Sequence, residues 1–165
     1  MSRIYLRKII PSDIKTLYKW GQDPLYHNTA CFEKMTSMAQ AKVATDCYMA
    51  RKYSYAIVLA ESKQMVGLIE LYNHVPFNGA QPICEVGFLL QKDYWHQGLM
   101  KEAIDKIINF AFNKLELKQV WAVTFADNRN AQSFLEKYGF EYVKTVDTFI
   151  EEIFRKELYF VLTDR

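Results

Sequence analysis

An apolar run from Ile83 to Leu90 leads through Tyr94-Trp95-His96-Gln97-Gly98 into an amphipathic stretch from Leu99 to Lys114. No other part of the chain constrains its fold as much. The first segment has the length and bulk of a strand. In the second, Ala103, Ile104, Ile107, Ile108, Ala111 and Leu115 recur at helical spacing. A strand, a short glycine-bearing turn and a helix N-terminus form a layout that binds phosphate. Backbone N–H groups at the start of a helix have no intrahelical partner, and the helix dipole favours an anion there. Gly98 lets the backbone approach a ligand closely.

The remaining periodicities extend the alternation of strands and helices. Ile4 to Ile9 reads as a first strand. Ser12 or Asp13 can cap a helix that ends near Gly21, with Leu17 and Trp20 on its apolar face. Asp23-Pro24 marks a turn. A second helix is expected from Thr36 or Ser37 to about Arg51. Tyr55 to Ala60 and Met65 to Tyr72, separated by Glu61-Ser62-Lys63-Gln64, read as a hairpin. Asn78-Gly79 suggests another antiparallel connection into the fourth strand. Val120 to Phe125 is a fifth strand and Arg129 to Tyr138 a short helix. Phe140 to Phe149 and Phe154 to Thr163 form a closing antiparallel pair. The expected order is βααβββαβαββ, a pattern that by itself supports an α/β or α+β domain.

A chain of 165 residues suits a single domain, 1–165, and a composition 50% hydrophobic and 15% aromatic argues against disorder. The net charge is +2 and the basic residues form no stripe, so no nucleic-acid partner is expected. No apolar run approaches a membrane span, and Met1-Ser2-Arg3-Ile4-Tyr5 opens no signal peptide. Cys31, Cys47 and Cys84 are odd in number and far apart, which suggests free thiols in a reducing compartment, most simply the cytoplasm. Cys84 reads as a buried structural thiol. His27, His74 and His96 lack metal-ligand spacing and no Cys-x-x-Cys pair occurs, so no metal is expected. Neither a full Walker turn nor Gly-x-Gly-x-x-Gly is present, which argues against a nucleotide-binding or dehydrogenase reading.

A second motif follows the turn. Asn128-Arg129-Asn130-Ala131 precedes Ser133-Phe134-Leu135-Glu136-Lys137-Tyr138-Gly139-Phe140. In this order and separation, the two segments resemble the Gcn5-related N-acetyltransferase (GNAT) family. Leu6-Arg7, Asp13, Leu17, Trp20, Asp23-Pro24, Glu85-Val86-Gly87-Phe88 and Tyr94-Trp95 further resemble the subgroup that contains the ribosomal-protein N-terminal acetyltransferases. The resemblance covers essentially the whole chain. It implies an α/β (α+β) acetyltransferase fold, a mixed and mostly antiparallel central sheet with helices on both faces. It also implies acetyl-coenzyme A as cosubstrate and a primary amine as acceptor, on a protein N-terminus or a small molecule. Transfer would be direct, in a ternary complex. A homodimer is compatible with the resemblance.

On the matching positions, the pantetheine arm would pair with the backbone of Phe88, Leu89 and Leu90, where an N–H would also stabilise an oxyanion. His96, Gln97, Gly98, Leu99, Met100 and Lys101 would take the pyrophosphate, and Asn128 would bond the pantetheine arm through its amide. The chain departs from the family's Gln/Arg-x-x-Gly-x-Gly/Ala turn. Trp95 holds the first position, as it often does in the subgroup. His96 stands where glycine is usual and Met100 where a small residue is usual. These departures keep an alternative in view, a catalytically silent coenzyme A-binding sensor or partner module.

Amine acetylation also needs a group that takes the ammonium proton. Glu85 is the one acidic residue of the fourth strand, and a carboxylate there is costly without a partner or a task. It reads either as the general base or as a residue that holds a neighbouring loop by hydrogen bonds. Histone-type relatives place their base one residue earlier, at Cys84 here, and adjacent strand residues point to opposite faces. Glu70, or a water chain, is another route. Many relatives carry an acid tyrosine where this chain has Leu135. Ser133 and Tyr138 nearby read as surface or packing residues. The first two helices and the segment from His27 to Met38 are expected to wall the acceptor side, with Phe32 and Glu33 facing it.

Overall fold

Seven strands hydrogen-bond in the order β1-β2-β3-β4-β5-β7-β6 in the computed structural model, which describes residues 1–74 and 83–165. They are β1 (Ile4–Lys8), β2 (Ser54–Leu59), β3 (Met65–His74), β4 (Ile83–Leu90), β5 (Gln119–Phe125), β6 (Glu141–Ile150) and β7 (Ile153–Thr163). The helices are α1 (Ile14–Gln22), α2 (Pro24–Ala30), α3 (Met38–Ala50), α4 (Leu99–Asn113) and α5 (Arg129–Tyr138). β1–β2, β2–β3, β5–β7 and β6–β7 are antiparallel, whereas β4 meets β5 in parallel with Glu85 opposite Trp121. The sheet is therefore mixed and mostly antiparallel. The Asn78-Gly79 connection lies outside the described residues. Residues 1–70 with 88–107 form one compact unit, and residues 71–87 with 108–165 form a second.

The first unit carries an aromatic core. Trp20 lies 6.1 Å from Tyr26 and 6.2 Å from Phe32, and Phe32 stacks on Tyr48 at 6.1 Å. Leu17, Ala41, Val58, Leu68 and Leu89 are buried in the same cluster. The region between β1 and α3 departs from expectation twice. Asp23-Pro24 starts a helix instead of ending in a turn. Asp23 Oδ1 accepts from Leu25 N–H at 2.9 Å, and Pro24 takes the first helical position, where its missing N–H is harmless. The order consequently gains a helix, βαααβββαβαββ. Asp13, expected as a cap, makes no side-chain cap of α1. It is buried, accepting from Ile10 N–H at 2.9 Å and from both Arg7 terminal nitrogens at 2.7 and 2.8 Å. Ser37 does cap α3, accepting from Gln40 N–H at 3.2 Å.

The second unit is organised by β5, β7, β6 and α5. Leu135, Phe140, Phe160, Val120 and Ala122 are buried. Gln132 on α5 is buried too, and its amide donates to Phe125 O at 3.0 Å and Ala126 O at 2.9 Å. That pair of bonds fixes the helix to the end of β5, just before Asn128. Tyr138 packs between Phe134 and Phe140, at 6.2 and 6.0 Å.

Candidate active site

The turn before α4 is shaped by backbone conformation. His96 has φ +59° and Gly98 has φ +77°, both in the left-handed region. Histidine tolerates that region better than most residues, and glycine tolerates it at no steric cost. Among the described residues, the backbone N–H groups of His96, Gln97, Gly98, Leu99 and Met100 have no protein acceptor. Alternation of right- and left-handed residues at a helix start makes a concave set of donors for an anion. These residues therefore fit a coenzyme A pyrophosphate. The side chains of His96 and Gln97 lie at the surface, and Met100 is half-buried. His96 meets the demand for a left-handed backbone at the position where relatives use glycine.

Several contacts hold this turn in place. Trp95 Nε1–H donates to Leu90 O at 2.6 Å, tying the turn to the end of β4. Leu90 is thus one of the expected pantetheine-pairing residues whose carbonyl is already engaged. Gln97 Nε2 donates to Asp93 O at 2.9 Å. Lys101 pairs with Asp105 at 2.9 Å along the helix. Sequence reasoning missed Arg3. Its Nη1 donates to Gln97 O at 2.8 Å, its Nε to Glu102 at 2.5 Å, and its backbone N–H to the other Glu102 oxygen at 2.9 Å. Burial disfavours the Glu102 charge, but the hydrogen bonds from Arg3 and the Ser2 hydroxyl outweigh it and hold the carboxyl below its usual range. A Cβ on Gly98 would stand 3.2 Å from Arg3 Nη2. Arg3 therefore lies against the turn at Gly98.

Asn128 is also a helix cap. Its Oδ1 accepts from Ala131 N–H at 3.2 Å. Nearby, Leu135 is fully buried at 0% exposure, so the usual tyrosine position is a core position here.

Glu85 is 8% exposed. Its Oε1 accepts from the Tyr72 hydroxyl at 2.6 Å, a short bond to the neighbouring strand. The donor lies on a neighbouring strand, not on a loop. Cys84 is half-buried, less deeply than expected, and burial followed by the Glu85 charge pushes its thiol up, away from the reactive thiolate. None of the three cysteines forms a disulfide. Glu70 is engaged by Arg51 at 2.8 Å. Arg51 also lies over the Tyr48 ring at 4.4 Å, and the Tyr48 hydroxyl donates to Glu33 at 2.8 Å. Burial, then the charge of Glu33, raises the Tyr48 phenol. Phe32, expected on the acceptor side, is a core residue at 4% exposure, while Glu33 is exposed. Among the described residues no group of three or more His, Cys, Asp or Glu could hold a metal ion, and no helix is long and apolar enough to cross a membrane.

Known proteins share this fold. The N-acetyltransferase YoaA of Bacillus subtilis, itself uncharacterized, is 24% identical over 144 residues, covering 84% of this chain and 80% of that protein. The spermidine N-acetyltransferase of Vibrio cholerae, solved with CoA and spermine, superposes with a TM-score of 0.81 at 15% identity, over 99% of this chain and 96% of that one. An acetyl transferase of Salmonella typhimurium that modifies the N-terminal serine of ribosomal protein L7/L12 superposes with a TM-score of 0.81 at 13% identity, over 100% of this chain and 97% of that one. These two structures show a common fold. The acetyltransferase (GNAT) domain model matches residues 3–141, and with that span of sequence the chain belongs to the GNAT family of acetyltransferase enzymes.

Proposed function

We propose that this chain, as one domain over residues 1–165, moves the acetyl group of acetyl-coenzyme A to a primary amine by direct transfer in a ternary complex. The observation that carries this reading is the set of N–H donors from His96 to Met100, opened by the left-handed backbone of His96 and Gly98. On this reading Lys101 adds positive charge beside the pyrophosphate. The backbone of Phe88, Leu89 and Leu90 holds the pantetheine arm, and Asn128 Nδ2 donates to it. Bound acetyl-coenzyme A supplies an activated acetyl group as a thioester. The chain's own residues orient the amine, remove its proton and offer N–H groups to developing negative charge. Glu85 is the proton acceptor, a buried carboxylate in an otherwise apolar strand.

The acceptor is a protein N-terminal amine or a small primary amine. The spermidine and N-terminal-serine acetyltransferases of like fold support both classes. Cysteines without a disulfide suit a reducing, cytoplasmic setting. One observation favours a second reading, a coenzyme A-binding module without turnover: Leu135 is buried where an acid tyrosine is usual. A thiolate is a tolerable leaving group, so transfer does not require that tyrosine. Free-thiol release from acetyl-coenzyme A, measured with a panel of alkylamines, polyamines and dipeptide amides, separates the two. Release with at least one amine is expected. Saturable coenzyme A binding with no release from any amine would establish the module instead, and absence of binding would overturn both.

A further inference from the structure

Glu85 and Tyr72 differ sharply in access. The carboxylate is 8% exposed, whereas Tyr72 is 41% exposed, and the two are joined by the 2.6 Å hydrogen bond. Tyr72 is thus the more solvent-accessible member of the pair. Gly87 makes this arrangement possible. A Cβ at that position would stand 3.0 Å from Tyr72 Cε1 and 3.5 Å from its hydroxyl oxygen. Glu85 and Gly87 are two residues apart on β4, so they share a face, and the Tyr72 ring lies over Gly87 with its hydroxyl at Glu85. A larger residue at position 87 would crowd the ring there.

We propose that Tyr72 is a proton relay between the acceptor ammonium and Glu85. This inference rests on the reading of Glu85 as the base. In the relay, an ammonium N–H bond breaks as its proton moves to the Tyr72 oxygen. The Tyr72 O–H bond breaks as that proton moves to Glu85 Oε1. The amine is left with its lone pair, the phenol is regenerated, and the carboxylate becomes a carboxylic acid. Between turnovers the proton returns to solvent by the reverse exchange. Charge and protons balance without any further reactant.

Among the described residues, titratable groups that face Glu85 include Tyr72 on β3, Cys84 on β4 itself, and Tyr159 on β7, whose phenol is raised by burial and then by Glu157 and Glu85. Of these, Tyr72 donates to the carboxylate. A donor hydrogen bond favours the charged form of its acceptor, so its removal raises the carboxylate pKa.

The test compares wild type, Tyr72→Phe, Gly87→Ala and Glu85→Gln, with acetyl-coenzyme A and two acceptor probes, a primary alkylamine and a dipeptide amide. Tyr72→Phe should lower kcat at least about tenfold, toward the range of a lost acid–base group. The KM for acetyl-coenzyme A should stay within about twofold, and the acidic limb of the rate profile should move to higher pH. Gly87→Ala should shift kcat in the same direction by a smaller factor, and it keeps the test open if Tyr72→Phe folds poorly. A readout independent of turnover is carboxyl-carbon NMR of glutamate-labelled protein without ligand, in which Glu85 should titrate at higher pH in Tyr72→Phe. Normal kcat and an unmoved Glu85 titration in Tyr72→Phe would overturn the relay. If Glu85→Gln is then inactive, only the relay fails; if Glu85→Gln is also fully active, the reading of Glu85 as base fails with it.

Discussion

The turn at residues 95–101 and the start of β4 at residues 83–87 make opposite demands on sequence. On the proposed reading, the turn works through its backbone. His96 and Met100 depart from the side chains that relatives use, yet the left-handed φ at His96 and Gly98 and the N–H groups that follow are in place. On the proposed reading, the start of β4 works through a side chain. Glu85 matters for its carboxylate, and no backbone group can replace a carboxylate as a proton acceptor. Substitution should therefore be tolerated at the turn unless it alters φ or blocks access. At Glu85 a change of one atom should be decisive.

The largest expected effect follows from that contrast. Glu85→Gln keeps the shape of the side chain and removes the proposed base. Turnover should fall about 10²-fold or more, the scale of a lost general base, and the acidic limb of the rate profile should vanish. Near-normal turnover with an unchanged profile would make Glu85 structural. Gly98→Val comes next. Valine is strained at φ +77° and its branch would crowd Arg3, so coenzyme A affinity should drop at least about tenfold, or about 1.4 kcal/mol.

Asn128 sharpens the comparison because it combines both modes, a cap through Oδ1 and a proposed donor through Nδ2. Asn128→Ala should cost about 1 kcal/mol of stability and raise the KM for acetyl-coenzyme A more than it lowers kcat. Asn128→Asp should keep the cap and lose the donor, so KM should rise with little change in Tm. Equal KM values for Asn128→Asp and wild type would confine Asn128 to capping. His96→Gly should tighten coenzyme A binding modestly, by about threefold or less, because glycine holds the left-handed turn without steric cost. His96→Val should loosen it.

The smallest effect concerns Arg3. Arg3→Met should lower Tm by about 2–4 °C, the equivalent of about 1 kcal/mol in a chain of this size, by releasing Glu102 and Gln97 O. The folded carboxyl of Glu102 titrates below its ordinary value, so its contribution is present above the ordinary carboxylate pKa. It is lost as pH falls through the lowered one. The gap between wild type and Arg3→Met should accordingly narrow in acid. A constant gap down to low pH would detach Arg3 from Glu102.

What the sequence made legible was local. The bounds of β4 and α5 coincide with the segments read from the sequence, a continuous apolar run and a short helical stretch, each with clear ends. Asp23-Pro24 misled because the same dipeptide serves a turn and a helix start, and only the Leu25 N–H bond distinguishes them. In the site, Gly98 and Glu85 were readable as types that need a reason. The cap at Asn128 was available in the sequence too, because asparagine before a helical pattern is an N-cap signal, but its likeness to a ligand-binding motif masked it. The bond from Arg3 to Glu102 spans 99 positions, and no local pattern announces it. The left-handed His96 was signalled only by its departure from glycine, and a departure does not say whether the backbone or the site has changed.

Calorimetric titration of coenzyme A into wild type, Gly98→Val and Glu85→Gln, alongside kcat for each, tests the division between backbone and side chain most directly. Affinity should fall at least about tenfold in Gly98→Val and stay within about twofold in Glu85→Gln, while kcat at saturating acetyl-coenzyme A should collapse only in Glu85→Gln. Unchanged affinity in a folded Gly98→Val, or equal losses of affinity in both variants, would contradict a cofactor site built on the turn and a proton site built on Glu85.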